Sequence, residues 1–250
     1  MSLKNIYLGF KFSLSYFSIL PVKFKVSDDL TQKEILLWML LSFPLVGFII
    51  SSLAVALIYK SSLYLYLLSA VLYVVLYGFL HTEAVIDVVD AIFAKHSKKD
   101  SYQVIKEPTV GAMGVLWGVT LLILKLATLV YLLYLYEPLY LVAVAVASRV
   151  GALIIFYLFE FKSTFLTILK SAISKQSLIF VIVFYTILEY LLLSINGVFI
   201  LSLAIVLSLL TVKILKKMVG FINGDVVGTT IESVELLVMI ILVLGVDGGL

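Results

Sequence analysis

Apolar residues run along this chain in long unbroken stretches rather than alternating with polar ones. Seven stretches come close to the ~20 residues that a helix needs to cross the hydrocarbon core of a bilayer. They cover residues 35–58, 62–82, 112–134, 138–158, 177–195, 197–214 and 228–246. The predicted architecture is therefore all-α: a polytopic membrane bundle of seven transmembrane helices over residues 35–250, preceded by an interfacial or cytoplasmic segment, residues 1–34. Pro44 predicts a kink in the first span. Ser194-Ile-Asn-Gly197 predicts a tight hairpin between the fifth and sixth. With no internal repeat and no long linker, residues 1–250 read as one membrane-embedded domain.

Composition agrees, since 63% of the residues are hydrophobic and only 13% charged, a balance unlike that of a soluble domain. The absence of cysteine excludes disulfides and thiolate chemistry. A net charge of +3, nearly all of it lysine in short loops, gives no support to a nucleic-acid partner. Lys4 and Lys11 interrupt the apolar start, and no small-residue cleavage site follows, so a cleaved signal peptide is not expected. Loop lysines number 5, 1, 4, 0, 3, 0, 3 and 0 in chain order. By the positive-inside rule this alternation puts the amino terminus in the cytoplasm of a multi-pass cell-membrane protein. The expected partners are the bilayer and small-molecule substrates, and a homo-oligomer is compatible with the pattern.

Three carboxylates, Glu83, Asp87 and Asp90, sit four and three residues apart in His81-Thr-Glu-Ala-Val-Ile-Asp-Val-Val-Asp-Ala91, which places them on one helical face. Asp225, Glu232 and Glu235 recur at spacings of seven and three beside the last apolar run. Both groups fall on the lysine-rich, cytoplasmic side, which predicts a shared site. Uncompensated charges at a membrane are costly. Hard Mg²⁺ or Ca²⁺, which takes oxygen ligands, is the compact solution.

The other polar residues leave alternatives open. Lys125 and Arg149 fall near the middle of spans three and four. The Lys125 stem either snorkels to an interface or stays inside the bundle, and the sequence favours neither. Arg149 is either a partner for a membrane carboxylate or, as favoured here, a bidentate phosphate ligand. Lys98, Lys99 and Lys106 lie in a loop facing the acidic groups, where lysines can hold a polyphosphate but are also what topology requires. Lys106 is the best placed, just before the glycines that re-enter the membrane. His81 points about 200° around the helix from Glu83, so hydrogen bonding is as fitting as metal ligation. His96 reads as a solvated loop residue. Gly114 with Gly118, and Gly220 with Gly224 and Gly228, recur every fourth residue and predict close helix contacts. Gly224 could instead let the chain bend so that Asp225 reaches a metal.

The stretch from Gly78 to Gly114 resembles the signature of the cobalamin-5'-phosphate synthases, also called adenosylcobinamide-GDP ribazoletransferases. His81, Asp87, Asp90, Lys106, Gly111 and Gly114 match it directly. Near the carboxyl end Gly224, Asp225, Gly228, Glu232 and Glu235 fall on a second family motif. Ser148-Arg149 is similar to a middle-span Ser-Arg, and Ser18-Ile-Leu-Pro-Val22 to a degenerate amino-terminal motif. The departures are Glu83 for Asp, Ala84 for Gly, Glu107-Pro108 for Asp-Ser and Ile19 for Arg.

The resemblance implies a Mg²⁺-dependent phosphotransfer. A hydroxyl of α-ribazole, or of its 5'-phosphate, attacks adenosylcobinamide-GDP and expels GMP, giving adenosylcobalamin or its 5'-phosphate. It implies Asp87, Asp90 and Asp225 as metal ligands, Glu83 as a further ligand or base, and Glu232 and Glu235 holding metal or orienting the nucleophile. Lys106 and Arg149 would hold phosphate oxygens, with His81, Gly111 and Gly224 also at the substrate. Two alternatives are a CDP-alcohol-type phosphotransferase, whose Asp-Gly-x₂-Ala-Arg core is missing here, and a cation-coupled transporter, which should carry acidic residues near the bilayer midplane.

Overall fold

Lipid offers no partner to a backbone N–H or C=O, so an apolar chain that enters a bilayer satisfies its own groups by coiling into helices. The computed structural model of the chain, which describes residues 2–25, 29–56, 58, 62–96 and 99–247, follows this rule. Lys60 and Lys98 lie outside those residues, as does the side chain of His96. The elements are α1 (Leu3–Phe17), α2 (Lys33–Leu41), α3 (Phe43–Val55), α4 (Leu63–Leu76), α5 (Leu80–His96), α6 (Ser101–Val104), α7 (Ala112–Leu135), α8 (Leu139–Leu158), α9 (Thr164–Ala172), α10 (Lys175–Leu193), α11 (Ile195–Val219) and α12 (Gly224–Asp247). Five of them, α7, α8, α10, α11 and α12, are long and apolar enough to cross a membrane alone, and the bent pairs α2–α3 and α4–α5 raise the number to as many as seven. The protein is an all-helical, multi-pass membrane protein.

The two bends have different causes. α2 and α3 meet at 42° with Pro44 in the first turn of α3, where its missing N–H leaves no hydrogen bond unmade. This is the kink predicted there. α4 and α5 meet at 71°, because Gly78 and Phe79 both take positive φ, 68° and 58°. Glycine adopts that region freely, whereas a bulky residue such as phenylalanine rarely does. The straight span expected over 62–82 is therefore two helices, and the acidic stretch lies wholly on the second. The predicted hairpin is present: Ser194 alone separates α10 from α11, and a Cβ on Gly197 would stand 2.6 Å from the Glu189 carbonyl carbon. α9 forms inside what reads as a loop, and α12 begins at Gly224, four residues before the apolar run expected over 228–246.

α8 is the axis of the bundle, packed by α3, α10, α11 and α12, and nearly all of its residues are buried. Its small residues permit this: a Cβ added to Gly151 would run into Ser208 Oγ and stand 2.8 Å from Ser208 Cβ, and one on the facing Gly47 would meet Ala145 O at 2.7 Å. Outward faces carry exposed Trp117, Ile123, Phe180, Phe184, Phe199 and Leu210, a belt suited to lipid chains. At one end of the bundle the lysine-rich loops meet. Lys95 Nζ donates to Met218 O at 2.8 Å, Tyr102 Oη donates to Lys162 O at 3.1 Å, and Lys162 N donates to Ile222 O at 2.7 Å.

Candidate active site

The close approach of α5 and α12 builds the site. A Cβ on Gly228 would lie 2.8 Å from that of Ala84, and Thr229 Oγ1 donates to Ala84 O at 2.9 Å. That contact brings Asp225, in the first turn of α12, within electrostatic reach of Glu83 and Asp87 on α5. Glu83 is exposed, and Asp87, Asp90 and Asp225 are half-buried. Asn223 positions Asp225: its Oδ1 accepts from Val226 N at 3.1 Å, capping α12, and its Nδ2 donates to Asp225 Oδ2 at 2.6 Å. None of the ion pairs formed among the described residues includes Glu83, Asp87, Asp90 or Asp225. Nor do any three Asp, Glu or His side chains among those residues stand close enough together to chelate an ion as they are.

Asp90 is already engaged. Its carboxylate accepts from Gly111 N at 2.6 Å and Gly114 N at 2.8 Å, so it caps α7 from a neighbouring helix, where free amides and the helix dipole favour a negative charge. A Cβ at either glycine would stand 2.7 Å from Asp90 Cγ. Gly111, expected at the substrate, thus serves in this structure to admit Asp90, while Asp87, Asp225 and Glu83 are the more open carboxylates. Gly114 and Gly118 do mark a close helix contact, since Cβ atoms there would meet Ile86 O and Ile86 Cγ1 at 2.6 Å. The second predicted stripe fails. Only Gly228 of that set touches another helix; Gly220 has φ +99° and ends α11, and neither it nor Gly224 has anything within 4 Å of an added Cβ.

A cavity of about 120 Å³ opens beside Asp225, walled by Tyr16, Phe17, Phe43, Phe165 and Ile231 and reached by His81. His81 is buried, stacked on Tyr77 with ring centroids 5.4 Å apart, and its Nε2 has no hydrogen-bond partner among the described residues. A buried ring nitrogen left unpaired carries a desolvation cost that a ligand can relieve. From the amino-terminal side α1 brings Tyr16 to the same wall, where burial first and the Asp225 charge second push its phenol above the ordinary tyrosine range.

A second cavity, of about 430 Å³, shares Phe165, Gly224 and Asp225 with the first and is lined by Tyr102, Lys106 and Lys162. Lys162, Tyr102, Tyr16 and Asn223 join the site only in three dimensions. In the sequence Lys162 is one of many topological lysines, while Asn223 is signalled by its place immediately before the matched Gly224-Asp225.

The remaining charged candidates are elsewhere, in a sealed cluster. Lys125 Nζ pairs with Glu232 Oε2 at 2.8 Å and Glu235 Oε2 at 2.7 Å, and Arg149 Nη1 pairs with Glu235 Oε1 at 2.6 Å. Tyr73 Oη donates to Glu235 at 2.8 Å and Tyr77 Oη to Glu232 at 3.0 Å, and Arg149 Nη1 also donates to Ala145 O at 2.7 Å. All four ions are at most 1% exposed. Of the two readings of Lys125, snorkelling is the one that fails, because two carboxylates hold its ammonium inside the bundle. Arg149, favoured above as a phosphate ligand, here meets a membrane carboxylate, although its Nε and Nη2 have no hydrogen-bond partner among the described residues. Glu232 and Glu235, expected beside the metal or nucleophile, are neutralised by these cations. Two cations against two anions leave the cluster balanced, as a low-dielectric interior requires.

A family model described as cobalamin-5-phosphate synthase matches residues 9–243, a span that holds both charged groups and both cavities. The chain belongs to this family. Among its cobalamin-5-phosphate synthase relatives, a Clostridium perfringens protein named adenosylcobinamide-GDP ribazoletransferase is 28% identical over 246 residues, covering 93% of this chain and 96% of its own. A protein of the same name from Brevibacillus brevis is 28% identical over 245 residues, covering 94% and 97%, and one from Desulforamulus reducens is 25% identical over 248 residues, covering 96% and 98%. No solved structure matches the chain. The family resemblance drawn from two short motifs therefore extends over nearly the whole molecule.

Proposed function

We propose that this protein is a membrane-embedded transferase that joins adenosylcobinamide-GDP to α-ribazole, or to α-ribazole 5'-phosphate, with release of GMP. Its reacting face would be the lysine-rich, cytoplasmic side of the cell membrane, as the loop charges favour. The observation that carries this reading, beside family membership, is the position of Asp225: it borders both an apolar cavity and a cationic one, with Asp87 and Glu83 across from it.

In the reaction the ribazole hydroxyl oxygen attacks the phosphorus on the cobinamide side of the diphosphate. The bond from that phosphorus to the bridging oxygen breaks, and GMP leaves with the bonding pair. The hydroxyl proton passes to a carboxylate of the Glu83, Asp87 and Asp225 group, which is open enough to receive it. The apolar cavity suits a flat aromatic base, and the free Nε2 of His81 offers it one directional hydrogen bond. Lys106, exposed at the rim, holds phosphate oxygens. The donor set fits a hard divalent cation such as Mg²⁺ in kind, being all carboxylate and drawn from two facing helices; a side-chain rotation would have to bring three oxygens together. Asp87, Asp225 and Glu83 would hold it, and it would supply charge neutralisation on the phosphates.

Purified protein in detergent, given Mg²⁺, adenosylcobinamide-GDP and α-ribazole, is expected to release GMP in step with cobalamin formation, and to stop when the cation is chelated. A folded preparation that releases no GMP would overturn the proposal.

A further inference from the structure

Two lysines from separate loops stand over one aromatic ring at the rim of the site. Lys106 Nζ is 4.2 Å from the centroid of Tyr102, and Lys162 Nζ is 3.9 Å from the same centroid and 5.4 Å from that of Phe221. Two ammonium groups so placed repel each other. Cation–π attraction offsets part of that repulsion, and an anion that reaches both ammonium groups would remove the rest. Neither lysine takes part in the ion pairs formed among the described residues.

Lysines that only set topology have no need to be held, and Lys162 is held on both sides. Its N–H donates to Ile222 O at 2.7 Å, and its carbonyl accepts from Tyr102 Oη at 3.1 Å. The backbone of Lys162 is thereby tied both to the loop that carries Lys106 and to the residue before Asn223. Two helices also begin at this cavity, α9 just after Ser163 and α12 at Gly224, and helix amino termini attract anions. Two ammonium groups and two helix starts surround an open space whose one carboxylate is Asp225. The charge pattern is that of a phosphate site with an acidic edge.

We propose that this cavity binds the diphosphate of a nucleoside-diphosphate group, with Lys162 and Lys106 as paired anchors and Tyr102 as the platform that fixes their spacing. The inference rests on the transferase reading and gives Lys162 a part in it: it anchors the phosphate that stays with the departing nucleotide. Lys162 thus holds substrate without taking or giving a proton. Its loss raises KM for the nucleotide-linked substrate far more than it lowers kcat.

The test uses the full chain in detergent with GDP as the probe, read by calorimetry, beside steady-state kinetics. Lys162→Gln is expected to weaken GDP at least tenfold and raise KM for adenosylcobinamide-GDP similarly. KM for α-ribazole and the unfolding temperature should hold, and Lys162→Arg should recover most of the loss. Lys106→Gln should show the same pattern, whereas Lys213→Gln, exposed on α11, should change nothing. Pyrophosphate is expected to compete with GDP, and guanosine alone is not. An active transferase whose GDP affinity and KM survive Lys162→Gln would overturn the inference and leave the transferase reading standing. GDP binding that depends on Lys162 in a chain that releases no GMP would do the reverse. Competition by guanosine but not pyrophosphate, or no GDP binding by the unaltered chain, would overturn the site.

Discussion

Asp225 and Glu232 are two turns apart on α12, yet they belong to opposite kinds of place. Around Glu232 and its neighbour Glu235, every charge has a buried counter-charge within 2.8 Å, and tyrosine hydroxyls take part in the same network. Around Asp225 the charges facing it from α5 are the acids Glu83 and Asp87, the lysines Lys106 and Lys162 line the same cavity without pairing with it, and two cavities give access. What separates a structural carboxylate from a chemical one on this helix is the identity of its neighbour. Balanced charges hold helices together. Unbalanced charges beside open space are useful only when something else arrives.

The contrast breaks most sharply at the open group. Asp225→Asn and Asp87→Asn keep shape and remove charge, so each is expected to lower GMP release by about two orders of magnitude or more, with thermal unfolding in detergent little changed. Near-normal turnover in both would mean that these acids are as structural as Glu235. For the closed group the pattern inverts. Arg149→Met leaves Glu235 short of a cation and should cost about 3–5 kcal/mol of stability. Arg149→Met combined with Glu235→Leu restores the balance, leaving Lys125 with Glu232, and should recover most of the loss in a double-mutant cycle of unfolding measurements. Arg149→Lys sharpens the point: retained turnover makes Arg149 structural, whereas a tenfold fall in turnover with stability intact returns it to the phosphates. The smallest effects are expected at glycines. Gly114→Ala pushes on Asp90 and on the Ile86 carbonyl and should cost about 1–3 kcal/mol, whereas Gly224→Ala, with open space around it, should stay within about 0.5 kcal/mol.

Much of the fold was legible because a membrane reduces the options to helices and turns. The all-helical class, the Pro44 kink and the Ser194 hairpin all followed from local signals. The 71° bend between α4 and α5 did not, since Leu76-Tyr-Gly-Phe-Leu80 continues the apolar run and a lone glycine is common in membrane helices. At the site, spacing placed Glu83, Asp87 and Asp90 on one face, because a helix converts spacing to direction. It could not say that Asp90 would turn to the start of α7, nor that Lys125 and Arg149 would claim Glu232 and Glu235. Those pairings join residues 86 to 110 positions apart, and sequence states a charge without stating whom it meets. Lys162 escaped for another reason: a lysine required for topology and a lysine placed for phosphate look identical in one dimension.

The bond from Gly111 N to Asp90 also closes a ring in the chain. It joins residues 21 apart, and Ser101 ties the interior of the same ring back to Ala91 O at 2.9 Å. In a ring already closed at its base, added residues raise the closure entropy only logarithmically, by about 0.6 kcal/mol for each doubling of length. The segment between Asp90 and Gly111 can thus lengthen or shorten among relatives while the acidic face of α5 and the first turn of α7 keep their register.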